Sequence, residues 1–404
     1  MKRIAGKYLE FLRQPDVARL LAVAFFSRMP IGMVGFAMVM FLREHLGTFT
    51  LAGAAVGINF VAMACAAPIQ GRLIDRHGPD LLLRVTGVVS PLALLGVLAA
   101  ALLHAPFWVV ASFTVIAGIF AAPITTLTRT LWRHRFEREE DRRTAFALDA
   151  VTIEFNFALG PAIVAGILAI FGATAAFAFA IAVVAAAVIV FMSSGILRLF
   201  KRVAATERHL LGPLTDARLC LVFVAMFGIT TSFGVLEVGY PAFATTIAMP
   251  ALAGVLLAVN SLGSATGGAL YGGMHFKWPL ERQFAACMLL MSVPFYLHAE
   301  FLQPLAFGVL AFFAGALIAP TLTAHAVLVS RYAPPKYATE AFTWSSTFIV
   351  SGLGFGMAMG GAIAETAGLA TMFASAAGLV MAMGLLTWVA LAPTPAGREL
   401  PAND

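Results

Sequence analysis

Apolar residues run along this chain in twelve long stretches, parted by short polar connections. A helix rises about 1.5 Å per residue, so some 20 apolar residues cross roughly 30 Å of hydrocarbon. The pattern predicts spans near 17–42, 50–73, 81–103, 106–131, 145–170 and 173–195, then near 217–245, 249–273, 282–300, 304–330, 339–365 and 369–391. Backbone groups in lipid need internal partners, so continuous apolar runs read as helices and not as barrel strands. The expected fold is an all-α integral membrane protein of twelve transmembrane helices.

The pattern repeats. Gly53, Asn59 and Gly71 recur 201 positions later as Gly254, Asn260 and Gly272. Gly118 and Pro123 recur after 197 positions as Gly315 and Pro320, and Ala145, Phe146 and Gly160 after 196 as Ala341, Phe342 and Gly356. A slowly drifting offset is what small loop deletions leave in a duplicated unit. Two parallel, pseudo-symmetric six-helix halves follow, at 17–195 and 216–392. The polar segment 196–215 links them, residues 1–16 form a basic amphipathic lead-in, and 393–404 form a tail.

Composition fits lipid. The chain is 61% hydrophobic and 11% charged, against about 25% charged in soluble domains. Of the 26 Lys and Arg, 23 fall in or beside segments on the side of the termini; Arg28, Arg43 and Arg129 do not. Positive residues concentrate on the cytoplasmic side, so both termini are expected to be cytoplasmic in a multi-pass cell (inner or plasma) membrane protein. This distribution accounts for the net charge of +6 without nucleic acid as a partner. Cys65, Cys220 and Cys287 lie far apart within apolar spans and give no disulfide or metal spacing. No Gly-x-x-x-x-Gly-Lys-Ser/Thr loop occurs, and no nucleophile lies near a base, so neither ATP drive nor an enzyme is expected. No cofactor is expected either.

Between the second and third spans stands Gly71-Arg72-Leu73-Ile74-Asp75-Arg76-His77-Gly78. This Gly-x-x-x-Asp-Arg-x-Gly connection resembles the signature loop of the major facilitator superfamily of secondary transporters, with Pro79-Asp80 where the family carries further basic residues. The run Asn156 to Gly166, around Gly160-Pro161, resembles the fifth-helix signature of the superfamily's proton-coupled exporters. The resemblance implies alternating access and gating by Gly71, Asp75, Arg76, Gly78, Gly160 and Pro161. It also implies that Asp75 meets the start of the eleventh helix, near Glu340, where the helix dipole is positive.

Charges inside a membrane are costly and face a cavity or a partner. Arg28 and Glu154 both fall near mid-membrane in the first half. The expectation is that Arg28 contacts an anionic substrate group while Glu154 carries the coupling proton; the bland alternative is a structural Arg28–Glu154 pair. Glu237 reads as a second proton site or an acid at the outer surface. Asp149 answers Arg129 or Arg133, or joins the proton path, and His325 is a packing or a titrating residue. Asn59 and Asn260 are expected to bond neighbouring helices along the substrate path, with Tyr240 and Trp344 lining a pocket. The expected activity is proton-coupled export of a small amphiphilic or anionic solute by a monomer in the lipid bilayer, with proton-coupled uptake of an organic anion as the alternative.

Topology gives the first test. Single cysteines placed in 133–143 and 196–215 should resist an impermeant thiol reagent in intact cells and react after permeabilisation; labelling of both from outside would reverse the orientation.

Overall fold

The computed structural model describes residues 13–136, 139–199, 212–273, 277–333 and 338–391. Helix α1 is Pro15–Leu46, α2 Phe49–His77, α3 Pro79–Leu102, α4 Phe107–Ile119, α5 Ile124–Arg135 and α6 Glu139–Ser193. In the second half, α7 is Ala217–Thr246, α8 Leu252–Gly273, α9 Leu280–Glu300, α10 Pro304–Ala316, α11 Ile318–Tyr332, α12 Ala338–Thr366 and α13 Gly368–Ala390. Two short 3-10 turns, Ile196–Leu199 and Gly212–Thr215, flank the segment between the halves.

Ten stretches among the described residues are long and apolar enough to cross a membrane, against the twelve expected. Two local features account for the difference. Phe155–Ser193 counts as one stretch, although α6 turns back inside it at Gly172, whose φ of 83° and ψ of 175° suit only glycine. Contacts along α1 trace that return: Asn156 meets Phe25, Gly160 meets Gly32, Phe177 stacks on Phe41, and Gly195 lies beside Arg19. The other feature is α9, which is long enough but carries Glu281, Arg282 and Glu300.

Turns are specified locally. Gly47 closes α1 with φ 81°, and the Thr48 side chain accepts the Leu51 N–H at the start of α2. Gly78, last residue of the signature loop, has φ 84° and joins α2 to α3, with Pro79 pre-set at the first position of α3. Asp216 caps α7 by accepting the Arg218 and Leu219 N–H groups, both at 2.9 Å.

The repeat is physical. Asn59 on α2 donates to the Thr114 carbonyl of α4 at 2.9 Å, and Asn260 on α8 donates to the Ala311 carbonyl of α10 at 3.0 Å. Four residues after each acceptor comes a glycine, Gly118 or Gly315, lying directly on the backbone of that same asparagine. Small residues let backbones approach, and the amide fixes the approach.

The fourth pass of each half is broken. The chain leaves α4 at Ile119 and resumes in α5 after Pro123; it leaves α10 at Ala316 and resumes in α11 at Ile318. Gln70 of α2 holds the first break by donating to the Ile119 and Ala121 carbonyls, at 2.7 and 3.1 Å. An unpaired carbonyl there would face hydrocarbon.

A Cβ added at Gly315 would collide with the Asn260 backbone, whereas one added at Gly71 meets nothing within 4 Å. Gly315→Ala should therefore lower stability by about 1–3 kcal/mol and Gly71→Ala leave it nearly unchanged, as read by thermal unfolding in detergent. Equal stability of the two variants would refute the close-contact account.

Candidate substrate site and gate

The termini and the connection between the halves share one face of the molecule, called here the terminal face; the turns at 47–48, 247–251 and 367 mark the opposite face. The halves are fastened near the opposite face. There Gly53 and Gly57 of α2 lie on the Met357 and Gly354 carbonyls of α12, and Gly361 of α12 lies on the Phe49 carbonyl. A methyl group added at Gly254 of α8 would lie 2.6 Å from the Pro161 carbonyl oxygen of α6. Three hydrogen bonds between described residues join the halves, and all are here: Phe49 N–H and the Thr50 hydroxyl to the Glu365 carboxylate, and the same hydroxyl to the Gly361 carbonyl at 3.3 Å.

Towards the terminal face the surface changes character. Outer segments expose apolar side chains, Trp108, Ile116 and Ile119 on α4 and Leu305, Val309 and Phe313 on α10, as lipid demands. On α5 the exposed positions are Thr126 and Arg129, with Thr130 half-buried beside them. On α11 Thr323 and Ser330 are exposed together with Ala326 and Val327. Thr126 and Thr323 are 197 positions apart, the same offset that relates Gly118 to Gly315, so each half carries an exposed threonine below its break.

One charged cluster joins α1, α5 and α6. Asp149 of α6 accepts from both terminal nitrogens of Arg28 on α1, at 2.7 and 3.2 Å, and from the Trp132 indole N–H of α5 at 3.0 Å. Arg28 and Asp149 are buried. Arg129 Nε lies 4.0 Å from Asp149, with 54% of its side chain exposed. Among the described residues two arginines thus stand against one aspartate, and Arg129 is the more exposed of the two. A planar guanidinium gripping a carboxylate through two bonds orients both groups.

Asp149 holds Arg28, since it shares a helical stripe with Asn156 and Gly160, the residues by which α6 packs on α1. Arg28 itself is buried in that pair. The exposed cation is Arg129, which sequence reading had treated only as an answer to Asp149.

The remaining residues are scattered. The Asn59 and Asn260 amides are used in the helix contacts already described. Gly160 packs on the backbone of Gly32, and Pro161 offers its carbonyl to α8, so this pair sits where three helices cross. His325 of α11 pairs Nε2 with the Ser345 hydroxyl of α12 at 2.7 Å and is buried, which suits a packing role. Tyr240 is buried among His298 and Phe307, its hydroxyl without a hydrogen-bond partner, one turn beyond the half-buried Glu237. Trp344 is half-buried against Phe348. The side chains of Asp75, Arg76, Glu154 and Glu340 lie outside the described residues. Sequence reading missed Trp132, Thr50 and Glu365. Glu365 carried a usable signal as an acid at the end of an apolar span; Trp132 carried none among so many aromatics.

Removing one partner of a buried ion pair leaves an uncompensated charge, at a cost of about 3–5 kcal/mol, while replacing both by apolar residues is often neutral. Asp149→Asn should destabilise the protein by that order, and Arg28→Met combined with Asp149→Leu should recover most of the loss in thermal unfolding. A single-variant loss below about 1 kcal/mol would show the pair to be more hydrated than its burial implies.

Residues 20–210 match the family model of the Major Facilitator Superfamily. No curated protein is close enough in sequence to count as a match. Among solved structures, the nucleoside transporter NupG is similar with a TM-score of 0.74 and 11% identity, over 94% of this chain and 100% of that one. The peptide transporter POT in complex with sulfate is similar at 0.71 and 13%, over 92% and 93%. A POT family transporter in complex with 5-aminolevulinic acid is similar at 0.72 and 11%, over 92% and 95%. Identity this low carries the fold and not the substrate. The first half thus matches the model of the Major Facilitator Superfamily, and the whole chain has the fold of these solved transporters.

Proposed function

We propose that this chain is a secondary transporter and carries a small organic anion, or an amphiphile with an anionic group, by proton-coupled alternating access. The observation that supports this reading most directly is the half-exposed Arg129 guanidinium, held beside the buried Arg28–Asp149 pair on a polar stripe of α5. An anion at Arg129 meets a cation that is already partly desolvated and held in place, which strengthens the contact relative to one in bulk water. Arg28 and Trp132 act through Asp149 and set the geometry. Thr126 and Thr323, exposed at equivalent places in the two halves, offer hydroxyl groups to the polar part of the substrate.

Glu154 and Glu237 are the proposed proton carriers. Asp149 is a poor one, since protonating it strands buried Arg28. The terminal face is assigned to the cytoplasm on the distribution of basic residues, the working unit is a monomer, and Gly160-Pro161 leans the direction towards export. Asp75, Arg76, Gly71 and Gly78 keep the gating role that the loop's resemblance implies.

The test is transport by the full chain in proteoliposomes with imposed pH gradients, using radiolabelled organic anions from acetate to benzoate. Arg129→Gln should raise KM for the transported anion about tenfold or more, and Arg129→Lys should restore part of it. Replacing the coupling acid, Glu154 or Glu237, by Gln should abolish pH-driven accumulation and leave exchange intact. Unchanged KM in Arg129→Gln would remove Arg129 from the site.

A further inference from the structure

Glu365 sits in the last turn of α12, at the opposite face. An acid there opposes the dipole of its own helix, whose end is negative. Its position is satisfied only from the other half. Phe49 is the first residue of α2, where backbone N–H groups lack helical partners and the dipole is positive. Glu365 accepts that N–H with one oxygen and the Thr50 hydroxyl with the other. Beside it a cavity of about 300 Å³ is lined by Arg43, Phe49, Thr245, Thr246, Glu365 and Leu369. Glu365 is exposed, so water reaches it from the opposite face while the halves remain fastened.

We propose that Glu365 is the latch of the opposite-face gate and that a proton arriving from that side releases it. As a carboxylate it binds the positive end of α2 across the interface and holds α2 on α12. Protonated, it loses the charge that the helix end attracts, and α2 and α12 are freed to part. The charged group that faces it is Arg43 of α1, which lines the same cavity and lies over the Phe49 ring at 5.5 Å. From α2 it meets Phe49 and Thr50, and the cavity beside it is lined by Thr245 and Thr246 of α7 and Leu369 of α13, none of them titratable. His45 of α1 is engaged elsewhere, its Nδ1 2.9 Å from the Phe41 carbonyl. This gate is separate from the Arg129 site and does not depend on which acid carries the coupling proton.

Met357 reports the gate. It is buried between the halves two turns below Glu365, its carbonyl under Gly53 and its side chain against Gly35. In a full-length chain with Cys65, Cys220 and Cys287 replaced by serine, Met357→Cys is probed in vesicles by an impermeant maleimide. The reagent goes on the side that labels a control Leu103→Cys, in the turn at the opposite face. The probe should react slowly at about pH 8 and faster as the medium on that side is acidified. Glu365→Ala should raise the rate about tenfold and remove the pH dependence, and Glu365→Gln, which keeps an acceptor but no charge, should fall between. If a Glu365 variant fails to fold, Thr50→Val, which deletes one hydroxyl, should accelerate labelling severalfold. Identical rates in parent and variants, or a pH dependence that survives Glu365→Gln, would overturn the assignment, whatever the transport assay with Arg129 variants shows.

Discussion

Lipid offers a backbone carbonyl no partner, and the rest of this structure depends on how the chain meets that constraint. A transporter needs helices that break and bend; each break frees polar groups. At the first break a side-chain amide from a neighbouring helix takes them up. Gln70 holds the end of α4, and Asn59 and Asn260 fix the spacing at the equivalent crossings of the two halves. Past their breaks, α5 and α11 differ from the segments above them. Those segments are apolar to the outside, while α5 and α11 carry exposed threonines.

The charged cluster follows the same logic one level up. An arginine in the first helix is tolerable because Asp149 takes two of its nitrogens and Trp132 completes the aspartate's shell. The aspartate then has little left to give, and a second arginine at 4.0 Å stays half-hydrated. Two arginines are thus held differently by one aspartate: Arg28 is locked in a buried pair, and Arg129 stays half-exposed.

Most of the fold was legible in the sequence. The all-helical membrane fold, the repeat and the glycine turn at Gly78 follow from hydropathy, offset and backbone sterics, which are local or periodic properties. Pairings across helices were not. Depth placed Arg28 and Glu154 together, but depth does not tell that Asp149 lies on the stripe of α6 that faces α1; that is set by Asn156 and Gly160, whose packing role shows only in three dimensions. Asn59 and Asn260 were read correctly as helix-to-helix bonds, since an amide at equivalent places in a repeat has few other uses in lipid. Glu365 went unread because its partner is a backbone N–H, which no residue type announces.

The contact between the halves has a mechanical consequence. It is made of glycines against carbonyls that are already bonded within their own helices, and between described residues only three hydrogen bonds cross it, all through Thr50 and Glu365. Such a surface behaves as a dry bearing. Between the described residues, sliding it exchanges one set of weak dispersion contacts for another, and the polar groups it would strand are gathered at one rim, at Phe49, Thr50 and Glu365.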